Sequence, residues 1–184
     1  NADITVASDF YLDTDATIVC TYSSLTNNIV GVITNGSGRV ITVGGDAVVL
    51  GTIDASEQGF PASTGPGKSS RIYYGASYGG KGVADYNAWG PVYGSLTEPT
   101  SLGSGGGTRT RGGGAVKLDV GGTLTIDGLV TANGEFWDNG GSGGSIWIDA
   151  DVFKGDGSIT ASGGGSDRPG GGGRVAIYYT SSTF

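Results

Sequence analysis

Four aspartates recur at a spacing that could bring their carboxylates together in pairs. Asp119 and Asp149 are 30 residues apart, and Asp127 and Asp156 are 29 residues apart. Stacked carboxylates repel one another unless a cation, a basic neighbour or water compensates their charge. Ca²⁺ prefers carboxylate and carbonyl oxygens as ligands. We therefore predict a calcium site at these pairs or, as the alternative, outward carboxylates that are simply solvated.

Aromatic side chains are concentrated in one glycine-rich stretch, residues 58–111. Tyr78, Tyr86, Trp89 and Tyr93 are its candidates for contact with a glycan or a partner protein, because aromatic rings are enriched at binding surfaces. The alternative is that these rings pack the stretch against the rest of the chain. Both readings stay open from the sequence.

A sequence pattern typical of serine hydrolases occurs in the chain without the residue that would serve as its general base. Gly75–Gly79 matches G-x-S-x-G, but the chain contains no histidine to serve as a general base. Polysaccharide hydrolysis by paired carboxylates could enlist Asp119 with Asp149, or Asp54. We predict no catalytic residues and no enzymatic activity, and we keep a polysaccharide-active enzyme as a third hypothesis.

A sequence repeat must position these side chains. Each copy has a glycine-rich opening, an alternating apolar stretch and a closing Gly-x-(Ile or Val)-x-Ala-(Ser or Asn) stretch. The copies occupy residues 39–56, 112–134, 143–163 and, cut short, 172–179. Repeats of this length are typical of stacked units that cannot bury their apolar faces alone.

Alternation within the repeats predicts β-strands. Val116, Leu118 and Val120 face one way, while Lys117 and Asp119 face the other. Matched residue types at offsets of 30 and 29 favour parallel stacking, with an antiparallel sandwich as the alternative.

The predicted fold class is all-β, a right-handed parallel β-helix or solenoid with a long Gly/Tyr-rich insertion. We expect one domain over residues 1–184, with N-terminal rungs in 1–57, the insertion in 58–111 and C-terminal rungs in 112–184. The less regular N-terminal region includes strand-like residues 3–7, 16–19 and 28–33.

Neither end of the repeat array carries a recognisable polar cap. An uncovered strand edge is a template for pairing with another chain. The residues predicted to form such an assembly contact are Ile4, Val6, Val175, Ile177 and Tyr179. The chain is either a piece of a longer solenoid or a subunit that polymerises end to end.

Composition limits the classes of partner. The net charge is −7 and the pI is near 4.3, which argues against nucleic acid because its phosphates are bound by basic patches. No apolar run reaches the roughly 18 residues of a membrane helix, so no membrane insertion is expected. Cys20 is the single cysteine, expected as a buried thiol or, alternatively, in an intermolecular disulfide. With the Asn35-Gly36-Ser37 sequon, these features favour an extracellular or cell-surface location.

Residues 93–107, YGSLTEPTSLGSGGG, carry a family resemblance. They resemble a signature of large glycine-rich secreted and surface proteins, in which such a segment leads into GGGAIRL-type, GGSGGSIWI-type and GGGGRIAIYY-type motifs. Close versions stand at 112–134, 140–148 and 170–179, so the resemblance covers about three quarters of the chain, from 39 to 180. It implies a β-helical surface or matrix protein without a common enzymatic activity. The chain departs from the pattern at 78–82, where the family often has a His, and in its short length.

The leading functional hypothesis from the sequence is an extracellular structural protein that assembles head to tail or contributes to a surface layer. Its partner would be a second copy of itself. A carbohydrate-binding adhesin module that uses the aromatic insertion is the main alternative. No cofactor is predicted apart from the calcium considered above.

Overall fold

The computed structural model describes residues 3–20 and 38–184, and all of its regular structure is β-strand. The predicted strand at 28–33 and the sequon at 35–37 lie outside the described residues. The strands are β1 (Ile4–Val6), β2 (Phe10–Leu12), β3 (Thr17–Val19), β4 (Arg39–Val43), β5 (Ala47–Val49), β6 (Thr52–Asp54), β7 (Ala115–Ile126), β8 (Leu129–Thr131), β9 (Ser145–Lys154), β10 (Ser158–Thr160) and β11 (Arg174–Thr183). No helix long and apolar enough to cross a membrane occurs in the described ranges.

Every pairing between these strands is parallel, as the repeat predicts, and the antiparallel alternative is wrong. Strands β1, β4, β7, β9 and β11 follow one another in the first sheet, and β3, β6, β8 and β10 form the second. The first sheet also holds β2 and β5, because the long β7 pairs with β4 near its start and with β5 near its end. Each copy of the repeat therefore lies directly on the copy before it.

The register brings equivalent residues into columns. One column in the first sheet runs Ile4, Ile41, Leu118, Ile148 and Ile177, and one in the second runs Ile18, Ile53, Val130 and Ile159. The offset of 77 between Ile53 and Val130 spans residues 58–111, which contain no strand. β-Branched and leucine side chains stacked in this way fill one continuous apolar core.

The core lies between the two sheets and is formed by side chains from both. Leu118, Leu124, Ile126, Ile146 and Ile148 are all fully buried there. Their strand neighbours of opposite parity, such as Lys117 and Asp119, face outward. The sequence alternation thus has the orientation that the repeat predicts.

The glycine segments that open the repeats are packed backbone against backbone. Gly112, Gly113 and Gly114 donate their N–H groups to three different segments, at Phe60, Ser142 and Ala55. The next copy repeats the pattern, with residues 142, 143 and 144 donating to Ser104, Gly171 and Ala132. Because three successive N–H groups donate in three different directions, the glycine segment has backbone neighbours on several sides. A side chain at these positions would occupy the space of one of those neighbours.

Residues 58–111 form a layer over these glycine segments. Phe60, Ser104 and Ala76 accept the hydrogen bonds from Gly112, Ser142 and Gly171, one from each of three successive repeats. The insertion thus contacts three successive repeats and holds them in place.

Candidate functional site

Asp119 and Asp149 lie directly opposite each other on β7 and β9, as their spacing predicts. The Nζ of Lys117 lies 3.0 Å from the Oδ2 of Asp119 and 4.2 Å from the centre of the Trp147 ring. Lys117 is therefore a basic neighbour that compensates part of the repulsion between the two carboxylates. This ion pair is only partly buried, so it contributes little to stability.

Asp127 and Asp156 are also stacked, and here the carboxylate has a structural role. The backbone N–H of Asp156 donates to the Oδ1 of Asp127 at 3.2 Å. The carboxylate of one repeat thus satisfies a turn N–H of the next repeat.

The same contact, in which a side-chain oxygen of one repeat accepts a backbone N–H of the next repeat, occurs at positions that the sequence analysis did not predict. The N–H of Asp46 donates to Asp9 Oδ1 at 3.0 Å, and the N–H of Thr123 donates to Asp46 Oδ1 at 2.7 Å. Ser162 N–H bonds to Asn133 Oδ1 in the same way, at 2.7 Å. The sequence spacing indicates this contact, because Asp9 and Asp46 are 37 residues apart, as are Ile4 and Ile41.

The calcium prediction stays a prediction. Within the described residues, no group of three or more His, Cys, Asp or Glu side chains is gathered closely enough to hold a metal ion. Each predicted pair supplies two carboxylates, and one carboxylate in each pair already has a protein partner.

The residues predicted for assembly lie on β1 and β11, which are outer strands of the first sheet. In the described chain, β1 pairs with β4 alone and β11 pairs with β9 alone. Val175 and Tyr179 stand in register with the core residues Ile146 and Ala150, yet they are 44% and 53% exposed. These side chains have the parity of core residues, and none of the described strands covers them.

Two of the four predicted aromatic contacts, Tyr78 and Tyr93, pack against each other. Their ring centres are 4.7 Å apart, Tyr78 is fully buried, and its hydroxyl lies 2.6 Å from Ser145 Oγ. The Tyr93 hydroxyl donates to the carbonyl of Leu102 at 2.6 Å. Burial raises the pKa of both phenols. The Tyr78 ring is therefore not available to a ligand at the surface, and the packing alternative holds for it.

Arg174 ties this buried pair to the last strand. Its Nε and Nη2 donate to the carbonyl of Tyr93 at 3.1 and 2.9 Å, and its guanidinium carbon is 5.5 Å from the centre of the Tyr78 ring. Tyr178 on the same strand donates its hydroxyl to the Thr97 carbonyl at 2.8 Å. Residues 93–97 thus fasten the insertion to β11.

The other two predicted contacts, Tyr86 and Trp89, are exposed, and each ring has a cation nearby. The Nζ of Lys81 is 4.6 Å from the Trp89 ring centre, and the guanidinium carbon of Arg71 is 5.5 Å from that of Tyr86. A cation over a ring leaves the opposite side of that ring for any other contact. The four predicted aromatic residues therefore do not form one surface.

Comparison of this chain with protein families, curated proteins and solved structures finds no match.

Proposed function

We propose that this protein is a non-enzymatic structural protein of the extracellular space or cell surface, which assembles head to tail through its outermost strands. In this proposal the two parallel sheets close into a right-handed β-solenoid, and residues 58–111 brace it along one flank. A second copy continues the solenoid where β11 ends the first copy.

The observation that carries the proposal is the change of burial along one column. Ile41, Leu118 and Ile148 are 2%, 2% and 0% exposed, whereas the column's outer members, Ile4 and Ile177, are only partly buried. Among the described strands, each inner residue is covered on both sides and each outer residue on one side. A second copy that placed its Ile4 over Ile177 would bury both, at a gain of about 25 cal/mol per Å² of apolar surface.

The hydrogen-bond pattern next to β11 also supports the addition of a second copy at this strand. Gly113 and Gly143 donate their N–H groups to the following repeat, at Ser142 and Gly171. Gly172 is the equivalent residue in the last repeat, and its N–H has no acceptor among the described residues. Because all strand pairs are parallel, each added copy exposes a new β11 edge, and a head-to-tail contact that does not close gives a filament.

Ile177→Asp tests the proposal. A buried carboxylate without a partner is strongly unfavourable at a strand-to-strand contact. We expect the unaltered chain to form regular filaments in negative-stain electron microscopy as its concentration rises. The variant should remain a folded monomer by light scattering and circular dichroism.

Thr183→Asp is the matched control. It adds the same charge to the same strand, at an exposed position paired with Lys154 on the outward parity. Filaments of the control with monomers of Ile177→Asp support the proposal. Filaments in both variants, or monomers of the unaltered chain at every concentration, would refute it. Loss of filaments in a calcium chelator would in addition assign calcium to the aspartate pairs.

Glycan binding by Tyr86 and Trp89 is the second candidate, because both side chains are large and exposed on the insertion. It predicts binding on a glycan array that is lost in Trp89→Ala without a change of oligomeric state. A polysaccharide-active enzyme is third, and turnover of an acidic glycan that Asp149→Asn abolishes would bring it forward.

A further inference from the structure

A cleft of about 350 Å³ lies where the insertion meets the loop between the repeat copies at 112–134 and 143–163. Its lining residues are Tyr73, Thr108, Arg109, Thr110, Trp137, Asp138 and Asn139. None of them belongs to the predicted sites described above. The volume falls within the range of about 300–1,000 Å³ that is usual for small-molecule sites.

Two exposed aromatic side chains give the cleft an apolar surface. Trp137 is 53% exposed and Tyr73 is 62% exposed, and Phe136 stands exposed beside them. None of these three rings belongs to the apolar core between the sheets. Exposed aromatic rings grouped at one concave place are typical of a binding surface.

Hydrogen-bonding groups stand beside the rings. The Arg109 guanidinium carbon lies 5.8 Å from the centre of the Trp137 ring, and Asp138 and Asn139 follow Trp137 directly in the chain. Guanidinium, carboxylate and amide groups offer planar donors and acceptors that match pairs of neighbouring hydroxyl groups. The single cation and single anion among the lining residues balance in charge.

Hydrogen bonds within the chain order the backbone around the cleft without a ligand. The Thr110 hydroxyl donates to the Asn139 carbonyl at 2.5 Å, and Arg168 N–H donates to the Asp138 carbonyl at 2.8 Å. Ser166 N–H donates to the Trp137 carbonyl at 3.1 Å. A site that is already ordered loses little conformational entropy on binding.

From this cleft we infer a binding site for an uncharged sugar ring of a glycan chain. The apolar C–H face of a pyranose packs on an aromatic ring, and its hydroxyl groups bond to Arg109, Asp138 and Asn139. The balanced charge of the lining disfavours an anionic ligand, which would need a surplus of positive charge. With one carboxylate among its lining residues, the cleft lacks the pair that glycoside hydrolysis uses, so it binds without cleaving.

Isothermal titration calorimetry with a panel of hexasaccharides tests the inference. The panel contains β-1,4-linked glucose, β-1,4-linked N-acetylglucosamine and β-1,3-linked glucose, with hexagalacturonate as the anionic member. We expect at least one neutral hexasaccharide to bind, with affinity reduced tenfold or more in Trp137→Ala and largely retained in Trp137→Phe. Asp138→Asn keeps the shape of the side chain and should also weaken binding.

Tyr11→Ala is the control, because Tyr11 is an aromatic residue that is 62% exposed and does not line the cleft. Binding lost in Trp137→Ala and kept in Tyr11→Ala supports the cleft. Failure of every neutral hexasaccharide to bind, preference for hexagalacturonate, or equal binding by Trp137→Ala and the unaltered chain would overturn the inference. The inference is independent of assembly, since Trp137→Ala should leave the oligomeric state unchanged.

Discussion

At the scale of single residues, the side chains with the most distinctive chemistry serve the packing of the chain. The Tyr78 hydroxyl, the Ser104 hydroxyl and the Ser142 hydroxyl are buried and each has a hydrogen-bond partner. Buried polar groups that are satisfied in this way fix one arrangement of the insertion on the repeats, because any shift leaves a donor or acceptor without a partner.

Cys20 offers a test at this scale. Its side chain is 4% exposed, and burial, offset in part by the charge of Arg39, raises the pKa of the thiol to about 11. At about pH 8 the thiolate fraction should be roughly a hundredfold lower than in an ordinary cysteine, since each pKa unit is a factor of ten. We expect Ellman's reagent to react with the native protein at least that much more slowly than with the protein in concentrated guanidinium chloride.

Native reaction at the unfolded rate would show that the thiol is accessible. A dimer band on non-reducing electrophoresis of freshly prepared protein would favour the intermolecular disulfide that the sequence left open. The buried position of Cys20 agrees with the first of the two sequence expectations.

At the scale of elements, glycine has two different uses in this chain. At Gly155 the φ angle is +118°, a conformation that side chains disfavour. At Gly144 the constraint is distance instead, because a Cβ built there would lie 1.7 Å from the carbonyl oxygen of Gly114 in the preceding repeat. The abundance of glycine thus follows largely from the close stacking of successive repeats.

Gly144→Ala should therefore be strongly destabilising. Relief of the contact requires two hydrogen-bonded backbones to move apart, and we expect the free energy of unfolding to fall by about 3 kcal/mol. Urea denaturation of the monomer, followed by circular dichroism, measures the change.

Gly172→Ala is the matched control for that variant. Gly172 opens the next copy of the same glycine segment, but a Cβ built there would meet nothing within 4 Å. Its effect should stay within about 0.5 kcal/mol. Equal destabilisation by the two variants would contradict the argument from backbone distance.

At the scale of the whole molecule, stability should vary along the stack. β7 and β9 have paired strands on both sides, whereas β1 and β11 are paired on one side in the described chain. In a stack where each repeat contacts only its neighbours, the outer repeats open more easily than the inner ones.

Amide hydrogen exchange of the dilute monomer should follow that order. We expect fast exchange in β1 and β11 and the slowest exchange in residues 115–126 and 145–154. If the chain assembles as proposed, β11 should become protected in filaments while Ile177→Asp keeps its fast exchange. Uniform protection along the monomer would show that the molecule opens as one cooperative unit.

The sequence by itself determined the register of the repeats, although it did not predict β2. Val116, Ile146 and Val175 are all β-branched and share a parity and a spacing, so similar repeats pair in one register. The same spacing correctly brought Asp119 to Asp149 and Asp127 to Asp156.

Only the tertiary structure decided how residues 58–111 pack against the repeats. Residues 58–111 have no periodicity, so the sequence gives no register for their contacts with the glycine segments. Burial of Tyr78, exposure of Trp137 and the meeting of Tyr73 with residues 137–139 all depend on how that layer folds back. Periodic segments are determined by local pattern, whereas a non-periodic layer is determined by long-range packing that no single stretch of sequence contains.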